Sequence, residues 1–156
     1  MHLYIMRHGE AQMMARSDEQ RALTSLGRAQ NARMARYLRT KDVVFDALMV
    51  SPFVRAQQTW QSVCEYFPDI EQQQTLRILT PSGSAHKTVS EILALQAQGI
   101  KSVLLISHLP LVGYIVSELV PSAGVPAFST SSVAHIELDE QGFAQLHSII
   151  AVSQLP

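Results

Sequence analysis

Apolar runs of strand length alternate along this chain with segments of helical spacing, and two of the runs end in a histidine. Leu3-Tyr4-Ile5-Met6 leads into Arg7-His8-Gly9, and Val103-Leu104-Leu105-Ile106 leads into Ser107-His108. A third run, Ala47-Leu48-Met49-Val50, is followed by Ser51-Pro52-Phe53-Val54-Arg55-Ala56. Strands alternating with helices fold as a mostly parallel sheet covered on both faces, a three-layer α/β/α sandwich. Ligands of such sheets bind where the strands end. Two histidines and two arginines delivered to one sheet edge make a compact cationic pocket with a nucleophile in it, the equipment for moving a phosphoryl group.

The spacing predicts strands over residues 2–8, 47–51, 76–79 and 102–107, and helices over 24–39, 52–66, 86–98 and 110–119. Two further strands, 131–138 and 143–151, flank the turn residues Asp139-Glu140-Gln141-Gly142 and read as a hairpin, an antiparallel edge on the sheet. Thr24 reads as a helix N-cap, Ser51-Pro52 as an N-cap followed by proline at the first helical position, and Pro110 as the opening of the helix after the fourth strand. The free amides at those helix starts would add backbone donors to the side-chain charge. Residues 10–23 lack an amphipathic period and read as a loop beside the site. Residues 120–131, with Pro121, Gly124 and Pro126, read as a surface connection.

A chain of 156 residues suffices for one buried core and is too short for two ordinary domains, so a single domain over 1–156 is expected. The net charge of −1 leaves no basic excess for a nucleic-acid partner, and anion affinity must come from a local cluster. No apolar run approaches membrane length and no leader pattern opens the chain, so neither a membrane nor export is expected. Cys64, the single cysteine, cannot form an intramolecular disulfide and reads as a buried structural thiol, in keeping with a cytoplasmic location.

The order Arg7-His8-Gly9-Glu10, Leu23-Thr24-x-x-Gly27, Ser51-Pro52-x-x-Arg55-Ala56-x-Gln58-Thr59 and Ser107-His108 resembles the histidine phosphatase superfamily across most of the chain. The tract Ile106 to Tyr114, the stretch Val50 to Ala56 and Leu79-Thr80-Pro81 look like its small phosphohistidine phosphatases of the SixA type. The resemblance implies a phosphoglycerate mutase-like fold. It also implies His8 as nucleophile, with Arg7, Arg55, His108 and Leu109 holding the phosphoryl group. The implied activity is release of phosphate from the phosphohistidine of a histidine-containing phosphotransfer domain, the implied partner being such a domain of a sensor kinase in a bacterial phosphorelay. Asp18 resembles an aspartate of that type and either positions water or a proton or is a solvated loop carboxylate. Ser51 is a further accessory candidate, and Glu10 reads as structural.

The chemistry of the residues agrees. A neutral imidazole nitrogen of His8 can attack phosphorus in line, provided its other nitrogen is fixed, for instance by the Gly9 carbonyl. Arginines suit equatorial oxygens through paired donors, and cationic neighbours should depress the His8 pKa. No metal or cofactor is needed for any step. The stretch Leu79-Thr80-Pro81 carries no carboxylate, where larger ester-cleaving relatives place an acid. Imidazole, whose conjugate acid has a pKa near 6.5, leaves without one far more easily than an alcohol, which favours a phosphoramidate substrate.

Short connections also leave no insertion to form a lid, which points to an open pocket and a protein-borne substrate. A monomer is expected. Arg16 and Arg21 lie close enough to the site loop to steer an acidic partner. His2, His86, His135 and His147 have no comparable setting, and no two share helical ligand spacing, so no metal site is expected. Val89, Ile92, Leu93 and Leu95 read as a core stripe, and Trp60, Tyr66 and Phe67 as packing residues. Two other readings compete: a phosphomonoesterase acting on small molecules in the same pocket, and a non-catalytic module that only binds phosphoryl groups.

Overall fold

A computed structural model describes residues 1–156. Six strands form one sheet: β1 (His2–Arg7), β2 (Ala47–Val50), β3 (Gln72–Thr75), β4 (Ser102–Ser107), β5 (Val133–Leu138) and β6 (Ala144–Ile150). Their spatial order is β3-β2-β4-β1-β5-β6. The first four run parallel, while β5 pairs antiparallel with β1 and with β6. Four helices connect them: α1 (Ser25–Thr40), α2 (Val54–Cys64), α3 (Ala85–Ala97) and α4 (Leu111–Leu119). None is long and apolar enough to cross a membrane.

The period-two alternation of strand side chains sorts the core into two layers. Leu3, Ile5, Met49, Val103, Leu105 and Ile136 pack against Ile92 and Leu95 of α3 and Val112, Ile115 and Val116 of α4. Met6, Leu48, Val50, Leu104, Ile106 and Val133 face the other way, against Met34, Ala35 and Leu38 of α1 and Ala56 and Val63 of α2. The central strand β4 is buried along its whole length because both faces are covered, which is why it reads as an unbroken apolar run.

Most expected elements stand within a residue or two of where the sequence places them. Thr24 caps α1 by accepting from the Gly27 amide at 3.0 Å. Asp139 closes the β5–β6 turn, its carboxylate accepting from the Gln141 and Phe143 amides, with Gly142 at φ 85°. Five expectations need correction. The strand expected at 76–79 is a single 3-10 turn (Arg77–Leu79), and the true strand is the preceding Gln72–Thr75. Its run of glutamines carries no apolar signal, and only pairing with β2 at the sheet edge makes it a strand. Helix α2 starts at Val54 behind Phe53, so Ser51 is not its cap and Pro52 is not its first residue. Pro110 is the cap of α4, which begins at Leu111. Cys64 ends α2 half-buried instead of buried. Finally, Leu93 is turned to solvent, while Ile92 and Leu95 carry the α3 stripe.

The topology opens a crevice between β1 and β4. The chain leaves β1 for α1, on one face of the sheet, and leaves β4 for α4, on the other. Adjacent parallel strands whose connections depart to opposite faces leave their carboxyl ends uncovered, the place where ligands of such sheets bind.

Candidate active site

Strand register assembles the site. Arg7 pairs with Ser107 across β1 and β4, so the next residues, His8 and His108, stand side by side with ring centroids 5.0 Å apart. Val50 pairs with Ile106 across β2 and β4, which brings Ser51 to the same end. The Ser51 hydroxyl lies 2.7 Å from His108 Nε2. Arg55, in the first turn of α2, reaches back over the strand ends and donates from Nε to His8 Nε2 at 3.3 Å. Arg7, His8, Arg55, His108 and Ser51 are thus brought together from four elements.

The tautomer of His8 is set by its backbone. Nδ1 lies 2.7 Å from the Gly9 carbonyl, which can only accept, so Nδ1 carries the proton and Nε2 keeps its lone pair. The Gly9 backbone is closely packed. A Cβ on Gly9 would fall 2.8 Å from Asn31 Nδ2 and 2.9 Å from the Gly27 carbonyl, and one on Gly27 would fall 2.3 Å from the Glu10 carbonyl. Glycine at both positions lets the first turns of α1 close onto the chain leaving β1. The Gly9 amide donates to Thr59 Oγ1, which also accepts from Asn31 Nδ2, and Asn31 Oδ1 accepts from Ser131 Oγ. The Ser131 amide returns to the carbonyls of Arg7 and His8. This closed polar network, buried at Asn31, Thr59 and Ser131, fixes the strand end from which His8 projects.

Burial pushes the His8 pKa down to about 4; the Gly9 bond works against this, and Arg55, Arg7 and Arg21 add to it. Desolvation therefore exceeds the cationic neighbours as the cause, a correction to the sequence reading. His108 falls further, to about 2, from burial first and then from His8 and Arg55. Both rings are neutral near pH 7. The Phe53 amide donates to Ser51 Oγ, and in the tautomer in which the Ser51 hydroxyl donates on to His108 Nε2 the ring proton lies on Nδ1. Phe53 packs edge-on to His108, with its ring 5.1 Å from the Arg55 guanidinium carbon.

Two buried nitrogens here have no hydrogen-bond partner, Arg7 Nε and His108 Nδ1. Unpaired buried donors are costly unless an acceptor meets them. The remainder of Arg7 is anchored by its Nη1 on the Phe128 carbonyl at 2.8 Å. Asp18 ties the loop of residues 10–23 to the site. Arg55 donates to its carbonyl at 2.6 Å and to its carboxylate at 3.1 Å, and Arg21 donates to the same carboxylate at 2.9 Å. Burial opposes ionisation of Asp18, but these bonds outweigh it and hold the carboxyl below its usual range. Asp18 is thus a partner of Arg55, not a free loop carboxylate. Leu109 follows His108 directly, with its side chain partly exposed.

Thr59 and Phe53 stand in the sequence motifs without a role, and Asn31 and Ser131 stand outside them. Asn31 left a trace, an amide on the same helical stripe as Met34, Ala35 and Leu38 where an apolar residue would be expected. Ser131, 100 residues away in sequence, left none. No group of three or more histidine, cysteine or carboxylate side chains is arranged to hold a metal ion. A buried neutral imidazole, guanidiniums and unpaired donors form an arrangement suited to a tetrahedral oxyanion.

Known proteins resemble this chain in sequence and in fold. The model of the histidine phosphatase superfamily (branch 1) matches residues 3–79. The phosphohistidine phosphatase SixA of Escherichia coli is 42% identical over 142 residues, covering 91% of this chain and 88% of its own length. A SixA homologue of Haemophilus influenzae is 40% identical over 147 residues, 89% of each chain. The solved structure of the protein histidine phosphatase SixA complexed with tungstate superposes with a TM-score of 0.97 at 39% identity, over 100% of both chains. The chain belongs to the histidine phosphatase superfamily, among the homologues of SixA.

Proposed function

We propose that this protein hydrolyses the phosphoryl group of phosphohistidine on a histidine-containing phosphotransfer domain, through a covalent phosphohistidine on His8. One observation carries the reading: His8 Nδ1 is pinned to a backbone carbonyl, so the lone pair of a neutral ring lies on Nε2, where it faces Arg55 Nε beside His108. Nε2 attacks phosphorus in line as the P–N bond to the substrate imidazole breaks, and that imidazole takes up a proton. Water then attacks the His8 phosphoramidate, releasing inorganic phosphate and restoring the neutral ring. Arg7, Arg55 and the Nδ1 proton of His108 meet the equatorial oxygens, and Arg7 Nε and His108 Nδ1 gain the acceptors they lack. Arg55 exchanges its hold on Asp18 for phosphoryl oxygen, so Asp18 would screen the guanidinium between turnovers.

Several facts support this reading. SixA of Escherichia coli carries the name phosphohistidine phosphatase, and tungstate, bound in the similar SixA structure, is a tetrahedral oxyanion like phosphate. Leu79, at the 3-10 turn beside β4, accepts from Ser107 with its carbonyl, and neither Thr80 nor Pro81 offers an acid for an alkoxide leaving group. The test incubates wild type and His8→Ala with a phosphorylated histidine-phosphotransfer domain and, separately, with a phosphomonoester, in chelator. Rapid phosphate release from phosphohistidine by wild type alone, with a feeble ester rate, is expected. A faster ester reaction would overturn the substrate assignment, and release by His8→Ala would overturn the nucleophile.

A further inference from the structure

A cavity of about 270 Å³ lies between the second half of α1 and the side of the sheet formed by β1, β5 and β6. Its apolar walls come from both layers, Met34 and Leu38 on the helix and Val133 and Ile150 on the strands. Two tyrosines complete it. Tyr4 is stacked on His135, with ring centroids 4.4 Å apart and planes 4° from parallel, and the Lys41 ammonium stands 5.4 Å from the centroid of the Tyr37 ring. The β5–β6 register shifts between His135 and Ile136 at this place, and such a bulge bends its strand and re-aims the side chains beside it.

Several polar groups lining the cavity are left unpaired. The hydroxyls of Tyr4, Tyr37 and Ser148 make no hydrogen bond within the protein, and Lys41 forms no ion pair. Tyr4 and Ser148 are half-buried, so their hydroxyls lose contact with water without gaining a partner. Lys41 is the one cation in the lining, and no carboxylate stands with it. His135, whose pKa burial lowers to about 4, adds no second charge at neutral pH. Apolar walls, flat rings and a few polar groups, one of them charged, are the composition of a small-molecule site.

We propose that this cavity binds a small aromatic carboxylate, its ring packed on Met34, Leu38 and the Tyr4–His135 stack and its carboxylate paired with Lys41. The ring restores the dispersion contacts that an apolar void forfeits, and the carboxylate meets the unpaired cation. The site is separate from the crevice at the carboxyl ends of β1 and β4. No lining residue is shared between them, and Tyr4 precedes His8 by four residues, about 13 Å of extended chain. Binding is therefore independent of the reaction proposed above.

The experiment titrates the whole protein with naphthoate and, separately, with the neutral naphthamide, in saturating inorganic phosphate so that the guanidiniums of the crevice are occupied. Calorimetry gives the affinities, and amide shifts in proton–nitrogen correlation spectra give the place. The amides of Tyr37, Lys41, Val133 and Ile150 should move, and those of His8, Arg55 and His108 should not. Lys41→Gln, at an exposed position, should weaken naphthoate about fivefold, the worth of one exposed ion pair, and leave naphthamide unchanged. Ser148→Phe, which fills the cavity from the edge strand, should weaken both about tenfold or more, because burial of the ring is lost. Should Ser148→Phe not fold, Lys41→Gln decides. Cavity amides unmoved at millimolar naphthoate, shifts confined to the crevice, or an equal response of acid and amide to Lys41→Gln overturns the site.

Discussion

Histidines cluster at two places on the sheet, and the two clusters differ in what surrounds them. At the carboxyl ends of β1 and β4, His8 and His108 are buried among guanidiniums in the crevice left by diverging connections. In the second cluster, His2 Nδ1 lies 3.0 Å from His135 Nε2, His135 stacks on Tyr4 at 4.4 Å, and His147 bonds Glu137 at 2.7 Å. The sequence reading treated these histidines as isolated. Antiparallel register gathers them, pairing His2 with Glu137 and Tyr4 with His135. Yet no arginine bonds to them, His2 and His147 are exposed, and the cavity beside His135 is lined chiefly by apolar side chains such as Met34, Leu38 and Val133. Proximity of imidazoles is therefore not a site. Burial, fixed tautomer and guanidinium donors at a topological switch distinguish one cluster from the other.

The sharpest break in this comparison is mutation of one histidine from each cluster. His8→Ala should lower phosphate release by about 10⁴-fold or more, while His135→Ala should leave kcat within twofold; a comparable loss in both would dissolve the distinction. Next in size, Arg55→Ala should cost about 10²–10³ in kcat, as loss of a preorganised charge donor does. Arg55→Lys should restore only part of this, because an ammonium cannot bond His8 and phosphoryl oxygen through one planar fork. Steady-state kinetics on the phosphorylated domain decides both.

Removing Ser51 tests how His108 is oriented. Ser51→Ala should reduce kcat about fivefold, the worth of one hydrogen bond, with little change in KM. Asn31→Ala, which strips partners from Thr59 and Ser131, should lower unfolding free energy by about 1–3 kcal/mol in urea titrations and reduce activity only modestly.

Proton linkage is the smallest effect at neutral pH and involves both clusters. His8, His108 and His135 all have folded pKa values below the ordinary 6.5, with His135 lowered to about 4 by burial and then by His2 and His147. Below pH 6.5 the unfolded chain then binds protons that the folded chain refuses, so their stability contribution is intact above that pH and is lost as pH falls toward 4. His135→Gln should flatten that decline without moving the acid limb of kcat/KM. That limb belongs to His8 and should lie near pH 4, since protonation removes the Nε2 lone pair. A shift of the limb in His135→Gln would couple the two clusters.

Legibility in the sequence followed the local nature of each signal. The runs of β1, β2 and β4 and the cap at Thr24 were readable because burial and capping mark their own residues. Gln72–Thr75 was not, because an edge strand of glutamines is defined by its neighbour. Ser51 was misplaced as a helix cap because its partner, His108, is 57 residues away.

The sequence by itself determined the layered α/β order, the strand-end positions of Arg7, His8 and His108, and the family to which the chain belongs, since these reside in periodicity and short motifs. Only the tertiary structure decided that burial outranks charge in keeping His8 neutral, that Asp18 clasps Arg55, and that Asn31, Thr59 and Ser131 lock the strand end that carries His8. Those outcomes depend on desolvation and on hydrogen bonds between residues distant in sequence, and both exist only once the chain has closed on itself.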